Sequence, residues 1–166
     1  MNGSGTSDAP TTLLFSTRRT FRALRYGVGH TRLLLGSLPD EEHTDHLVLH
    51  FVGVHAMQLV TRSYRSLEVH AVVEPELSTI HELSGMPTRW RAHNLIVKLR
   101  SDSGTGWVLC GRVTLERAEG GPGHEFGLPE LRDVIWSLRP SDLRQDGPVR
   151  PEGGWGTPWR GPRPAT

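Results

Sequence analysis

Asp45 to Val54 reads DHLVLHFVGV, and its period decides the fold class. Leu47, Leu49 and Phe51 fall on one side of an extended chain and His46, Val48, His50 and Val52 on the other, the two-residue spacing that a strand imposes. Apolar residues in both sets predict a strand at least partly covered on both faces. The same alternation recurs downstream. Leu67, Val69, Ala71 and Val73 alternate with Glu68, His70 and Val72, and Leu95, Val97 and Leu99 alternate with Asn94, Ile96 and Lys98. Trp107, Leu109, Gly111, Val113 and Leu115 alternate with Val108, Cys110, Arg112, Thr114 and Glu116 in what reads as one long strand. Ser101-Asp-Ser-Gly-Thr-Gly106 in front of it carries the residues of a hairpin turn.

Upstream, Thr20 to Val28 and Thr31 to Gly36 read as two strands meeting at Gly27 to His30, with Leu13 to Ser16 a short edge strand. Helical signals are few. Pro129 suits a first helical turn, Glu130 and Asp133 complement the start of a helix dipole, and Leu131, Val134, Ile135 and Leu138 follow i, i+3, i+4, i+7 before Pro140. Glu76 to Leu83 predicts a second, two-turn helix with Leu77, Ile80 and Leu83 inward. Seven to eight short strands with one or two short helices predict a mainly β (α+β) chain, an antiparallel β-sandwich or partly open barrel.

The chain has 166 residues, 19 basic and 18 acidic, for a net charge of +1. That length fits one domain with a core of its own. Residues 1–10 are poor in core formers and read as a disordered N-terminus, residues 11–138 as a single β-rich domain, and residues 139–166 as a Pro/Gly-rich tail. Cys110 is the only cysteine, so no intrachain disulfide is possible and a reducing compartment is expected. No signal-peptide pattern opens the chain and no apolar run is long enough to span a membrane, which predicts a cytosolic protein with no membrane partner. Lys98 is the only lysine, an imbalance that a GC-rich coding bias explains as well as any chemistry.

His43, His46, His50 and His55 crowd into thirteen residues. His46 and His50 share a strand face but lie about 13 Å apart at 3.3 Å per residue, too far to ligate one ion at 2.0–2.1 Å. A metal site would need a third element, and His46, His50 and His70, with Glu68 or Asp45 as the acid, form the candidate set for a small metal-dependent enzyme. No metal and no cofactor is expected. His81-Glu82-Leu-Ser-Gly85 begins like H-E-x-x-H but has glycine where the second ligand belongs. G-x-S-x-G, the phosphate-binding Walker loop and C-x-x-C are all missing. Cys110 reads as a half-buried inert thiol with Arg112 on its own face.

Two clusters suggest binding. Arg18, Arg19, Arg22, Arg25 and Arg32 occupy a stretch without acids and are followed by Asp40, Glu41, Glu42 and Asp45. Paired strands would neutralise these charges across a sheet; otherwise the arginines form an anion-binding patch for phosphate or nucleic acid. Trp90 stands between Arg89 and Arg91, and Trp155, Trp159 and Arg160 lie in the tail, where large aromatics either strap the segment to its own domain or anchor a partner.

Phe21 to Leu35 (FRALRYGVGHTRLLL), Leu49 to Gln58 (LHFVGVHAMQ) and Gly106 to Gly111 (GWVLCG) carry an aromatic, histidine and Leu-Leu-Leu pattern followed by Phe-x-Gly-Val. With these the chain resembles a family of small uncharacterised bacterial β-rich proteins, some of which look like immunity proteins of interbacterial toxin systems. The resemblance implies a β fold and brings no catalytic residues. The expected function is a non-enzymatic protein-binding module, immunity-like or regulatory, with a protein partner favoured over nucleic acid.

Overall fold

Phe15 and Phe21 meet edge to face at 6.1 Å across the point where the chain leaves one β-sheet and enters a second. The computed structural model describes residues 11–27, 29, 31–37, 40–119, 132–143 and 159–160. Twelve strands make two sheets: β1 (Thr11–Ser16), β2 (Phe21–Gly27), β3 (Arg32–Ser37), β4 (Asp45–Val52), β5 (Ala56–Gln58), β6 (Ser63–Tyr64), β7 (Glu68–Val72), β8 (Leu95–Ser101), β9 (Gly104–Cys110), β10 (Arg112–Glu119), β11 (Arg132–Leu138) and β12 (Trp159–Arg160). Helices α1 (Glu76–Leu83) and α2 (Thr88–Arg91) separate β7 from β8. The first sheet runs β12-β1-β7-β8-β9-β5, antiparallel except where the two-residue β12 lies parallel to β1. The second runs β11-β10-β4-β3-β2-β6 and is antiparallel throughout. The result is the mainly β sandwich that the alternation predicts, with more and shorter strands than the sequence separates.

Its core sits between the sheets. Leu47, Leu49 and Phe51 from β4, Leu33 and Leu35 from β3, Val113 and Leu115 from β10, Val69, Leu95, Val97, Leu99, Val108 and Cys110 are all buried in one cluster. Cys110 is therefore fully buried, not half-buried, and burial pushes its thiol pKa up to about 12, which makes it inert. Tyr64 is also fully enclosed; its hydroxyl has no hydrogen-bond partner and burial raises its pKa.

Two bent ladders join the sheets at their corners. In one, β4 passes into β5 while β9 passes into β10: His55 N donates to Leu109 O (2.9 Å), and Gly111 N donates to Val52 O (3.0 Å) and Gly53 O (3.2 Å). Gly53 has φ +67, and a Cβ there would stand 3.5 Å from Gly111 N, so the bend favours glycine. In the other, β1 passes into β2 beside β6 and β7, held by Thr17 N to Leu67 O (2.9 Å) and Ala23 N to Arg62 O (3.2 Å). The strand expected over Trp107 to Glu116 is thus two strands that change sheet at Gly111. The change reverses the alternation: Val108 and Cys110 face the core before it, Val113 and Leu115 after it, and Arg112 leaves the face of Cys110.

A second correction concerns the helix expected over Leu131 to Leu138. Arg132–Leu138 is strand β11, antiparallel to β10, while Pro129 and Leu131 lie outside the described residues. The register shifts so that Leu115 faces Trp136 and Glu116 faces Val134, which leaves Ile135 as a bulge. Trp136 is consequently buried and Val134 is 60% exposed although they share parity. Bulged strands lose strict alternation, and the spacing of Ile135 and Leu138 on the core side imitates a helical period. Val, Ile and Trp in succession favour a strand, and that composition outweighs the period.

The helix expected over Glu76 to Leu83 is present as α1, with Leu77 and Ile80 turned inward and Leu83 73% exposed. It lies over the outer face of the first sheet, where Ile80 and Met86 pack with Val72, Ile96 and Leu109 in a second apolar cluster. Among the described residues no helix is long and apolar enough to cross a membrane.

Candidate functional site

Four polar arrangements follow from this topology. At one end of the sandwich Arg19, only 5% exposed, donates to Asp45 O (3.1 Å) and Asp45 Oδ1 (2.7 Å), while Arg117 Nε lies 3.2 Å from Asp45 Oδ2. Among the described residues, the expected neutralisation of the arginine run by the acids is seen at this point, between Arg19 and Asp45. Strand β3 separates β2 from β4, so Arg22, Arg25 and Arg32 have no acid directly across the sheet.

On the outer face of the first sheet His70 donates through Nε2 to Glu68 Oε2 (3.0 Å), and its Nδ1 lies within hydrogen-bond distance of Thr11 Oγ1 (3.0 Å). Beside it Lys98, paired with His70 across the ladder, donates to both oxygens of Glu76 on α1 at 2.8 and 3.0 Å. Hydroxyl, imidazole and carboxylate in sequence resemble an activated nucleophile. β7 is flanked by β1 and β8, so its own backbone amides are taken up by the sheet. The strip ties α1 and β1 to the sheet.

On the outer face of the second sheet His50 Nδ1 lies 3.3 Å from Glu116 Oε1, which also accepts from Thr114 Oγ1 at 2.9 Å. His46 lies further along the same face of β4 and is buried. His70 belongs to the other sheet and to the opposite face of the sandwich, so it cannot complete a site with His46 and His50. Among the described residues no group of three or more His, Cys, Asp and Glu side chains could hold a metal ion.

The fourth arrangement is the corner between α1 and α2. The Arg89 guanidinium stacks over the Trp90 ring at 5.5 Å and His93 lies against it at 6.3 Å, yet Trp90 is 49% exposed. Arg91 is tied back by Nε donating to Met86 O at 3.2 Å. Behind the corner His81 is buried with no partner for Nδ1; burial, aided by the charge of Arg91 and opposed by Glu74, lowers its pKa. Trp155 falls outside the described residues, and the backbone of Trp159 and Arg160 pairs with Phe15 and Ser16 at the edge of β1.

Sequence reasoning missed two members of these arrangements. Arg112 shares the outer face of the second sheet with Arg32, and Arg117 joins Arg19 on Asp45. The first becomes legible only once the change of sheet at Gly111 is known. Comparison with protein-family models, curated proteins and solved structures gives no match.

Proposed function

We propose that the chain is a non-enzymatic, cytosolic protein-binding module, regulatory or immunity-like, whose contact surface is centred on Trp90 with Arg89 and Arg91. The observation that carries this reading is the exposure of Trp90. A tryptophan half open to solvent belongs to neither apolar cluster, and the stacked guanidinium and imidazole hold its ring in one orientation. Preordered aromatics with arginine neighbours dominate the energetics of protein interfaces, because little side-chain entropy is lost when they are covered. Leu83 at the end of α1 adds exposed apolar surface on the same helical pair. The arginines fit a partner with carboxylates around an apolar centre. Backbone pairing of Trp159 and Arg160 with the edge of β1 supports a second, peripheral role for that segment.

The test is capture from native cytosol on the immobilised full-length chain, followed by titration of the purified partner. Trp90→Ala is expected to weaken that titration about tenfold or more. Equal affinity for wild type and Trp90→Ala overturns the reading. A chain ending at Leu138 that binds as tightly as the full chain assigns the whole interface to the α2 corner and removes Trp155, Trp159 and Arg160 from it.

A further inference from the structure

We propose that the outer face of the second sheet carries a binding site for a small phosphate-bearing anion, held between Arg32 on β3 and Arg112 on β10 with Arg25 and His50 beside them. The ladder pairs Arg32 with Val52 and Val52 with Arg112, so the two arginines occupy one row with a single strand between them. At about 4.8 Å per strand their Cα atoms stand about 10 Å apart, a gap that two extended guanidinium side chains can close on one oxyanion. The next row reads Arg25, Leu34, His50, Thr114. His50 thus lies diagonally between Arg32 and Arg112, and Arg25 diagonally beside Arg32.

Three further observations point to a ligand. First, Arg22, Arg25, Arg32 and Arg112 make no ion pair and no side-chain hydrogen bond to any described residue, whereas Arg19 and Arg117 share Asp45 and Lys98 holds Glu76. Second, Arg112 Nε is buried and without an acceptor; a buried cationic donor left unsatisfied is costly, and an anion over Val52 would supply the acceptor. Third, the backbone in front of Arg32 is fixed in an uncommon conformation: Thr31 has φ 47, and its carbonyl accepts from Val54 N at 2.8 Å. Left-handed backbone at a non-glycine residue persists where neighbours enforce it, and here it sets the entry of β3 at the arginine row. Glu116 on this face has a side chain only 12% exposed, accepts from Thr114 and lies against His50.

Paired guanidinia favour phosphate through bidentate contacts. The Arg32–Arg112 pair spans three strands, the width of a phosphate or diphosphate group, with Arg25 on a fourth, and its rows hold no Phe, Tyr or Trp on which a nucleic-acid base could stack, His50 being their one aromatic ring. This favours a small phosphate ester or free phosphate over a nucleic acid.

The experiment is isothermal titration of the full chain with inorganic phosphate, pyrophosphate and a single-stranded oligonucleotide, alongside amide shift mapping. Saturable one-to-one binding of phosphate or pyrophosphate is expected, with shifts confined to β2, β3, β4 and β10. Arg32→Gln and Arg112→Gln should each weaken it by about tenfold, and Arg112→Lys should weaken it also, because the charge is kept but the planar fork is lost. Arg62→Gln, an exposed arginine away from these rows, should leave it unchanged. Phosphate tighter than pyrophosphate identifies a single phosphate group as the ligand; the reverse order identifies a diphosphate group. The proposal is overturned by the absence of saturable binding in the millimolar range, by equal affinity in Arg32→Gln, by an equal loss in Arg62→Gln, or by oligonucleotide affinity that exceeds pyrophosphate and grows with strand length. Arg32 is exposed and makes no contact that holds the fold, so its variant reports on binding even where Arg112→Gln does not fold.

Discussion

On the first sheet Val72, Ile96 and Leu109 turn away from the main core and meet Ile80 and Met86; on the second, Arg25, Arg32, His50 and Arg112 hold the same outward phase. Inner faces of both sheets follow one rule, apolar at every second residue. The outer faces differ because of which residues fill the other half of the period. Where those residues are apolar, leaving them in water is unfavourable in proportion to their area, and the chain uses α1 to cover them. On the second sheet that face is divided: His46, Val48, Thr114 and Glu116 are buried, whereas Arg25 and Arg32 stand in water, where their solvation is favourable. The difference teaches that a sheet's second face is the informative one: its residues record whether the covering group is the chain itself or something else.

The largest expected effect tests the covered face. Leu109→Ala removes a fully buried side chain from beneath α1 and should cost about 2–4 kcal/mol in chemical denaturation. Val52→Ala, on the arginine row and only partly buried, should cost less than about 1 kcal/mol. Comparable losses would break the contrast between the faces. Next in size is the tie that docks α1. Glu76→Gln deprives Lys98, whose side chain is 12% exposed, of a carboxylate that takes two hydrogen bonds from it. Because Glu76 remains partly in water, the cost should be about 1–2 kcal/mol rather than that of a fully buried pair. High salt should leave most of that difference in place.

A smaller, pH-dependent effect should also belong to the first sheet. His81 lies under the helical corner with its pKa held below its ordinary 6.5. The unfolded chain therefore takes up a proton at higher pH than the native one. Stability is full above pH 6.5 and falls as pH drops from there toward the lowered native value. Denaturation between pH 7.5 and 5 should show this slope in the wild type and a flatter one in His81→Leu. An unchanged slope would place the titration elsewhere.

How far these features were legible in the sequence follows from the distance each one spans. The strand at Asp45 to Val54 and the hairpin around Asp102 are local, set by alternation and by turn residues within ten positions. The change of sheet at Gly111 is not, since it depends on Gly53 lying opposite, and no pattern within either segment announces it. That one event misplaced Cys110 and Arg112 together. β11 failed for the opposite reason: the signal was local, but a bulge at Ile135 gave it the wrong period. For the candidate sites, residue types were recognisable and partnerships were not. Arg19 in an exposed basic run became the buried partner of Asp45, and His70 separated from His46 and His50, because strand order decides both.

The smallest expected effect bears most directly on the exposed arginines of the second sheet. Arg32→Gln should change stability by no more than about 0.5 kcal/mol, since the guanidinium is exposed and pairs with no described carboxylate. Arg25, Arg32 and Arg112 are like charges a strand or two apart, so removing one relieves repulsion. The small change should therefore be toward greater stability at low ionic strength and should vanish as salt screens the remaining charges. A destabilisation above about 1 kcal/mol would mean that the arginine row has a structural partner within the chain. The two faces would then differ only in the chemistry of their cover, not in whether the chain provides it.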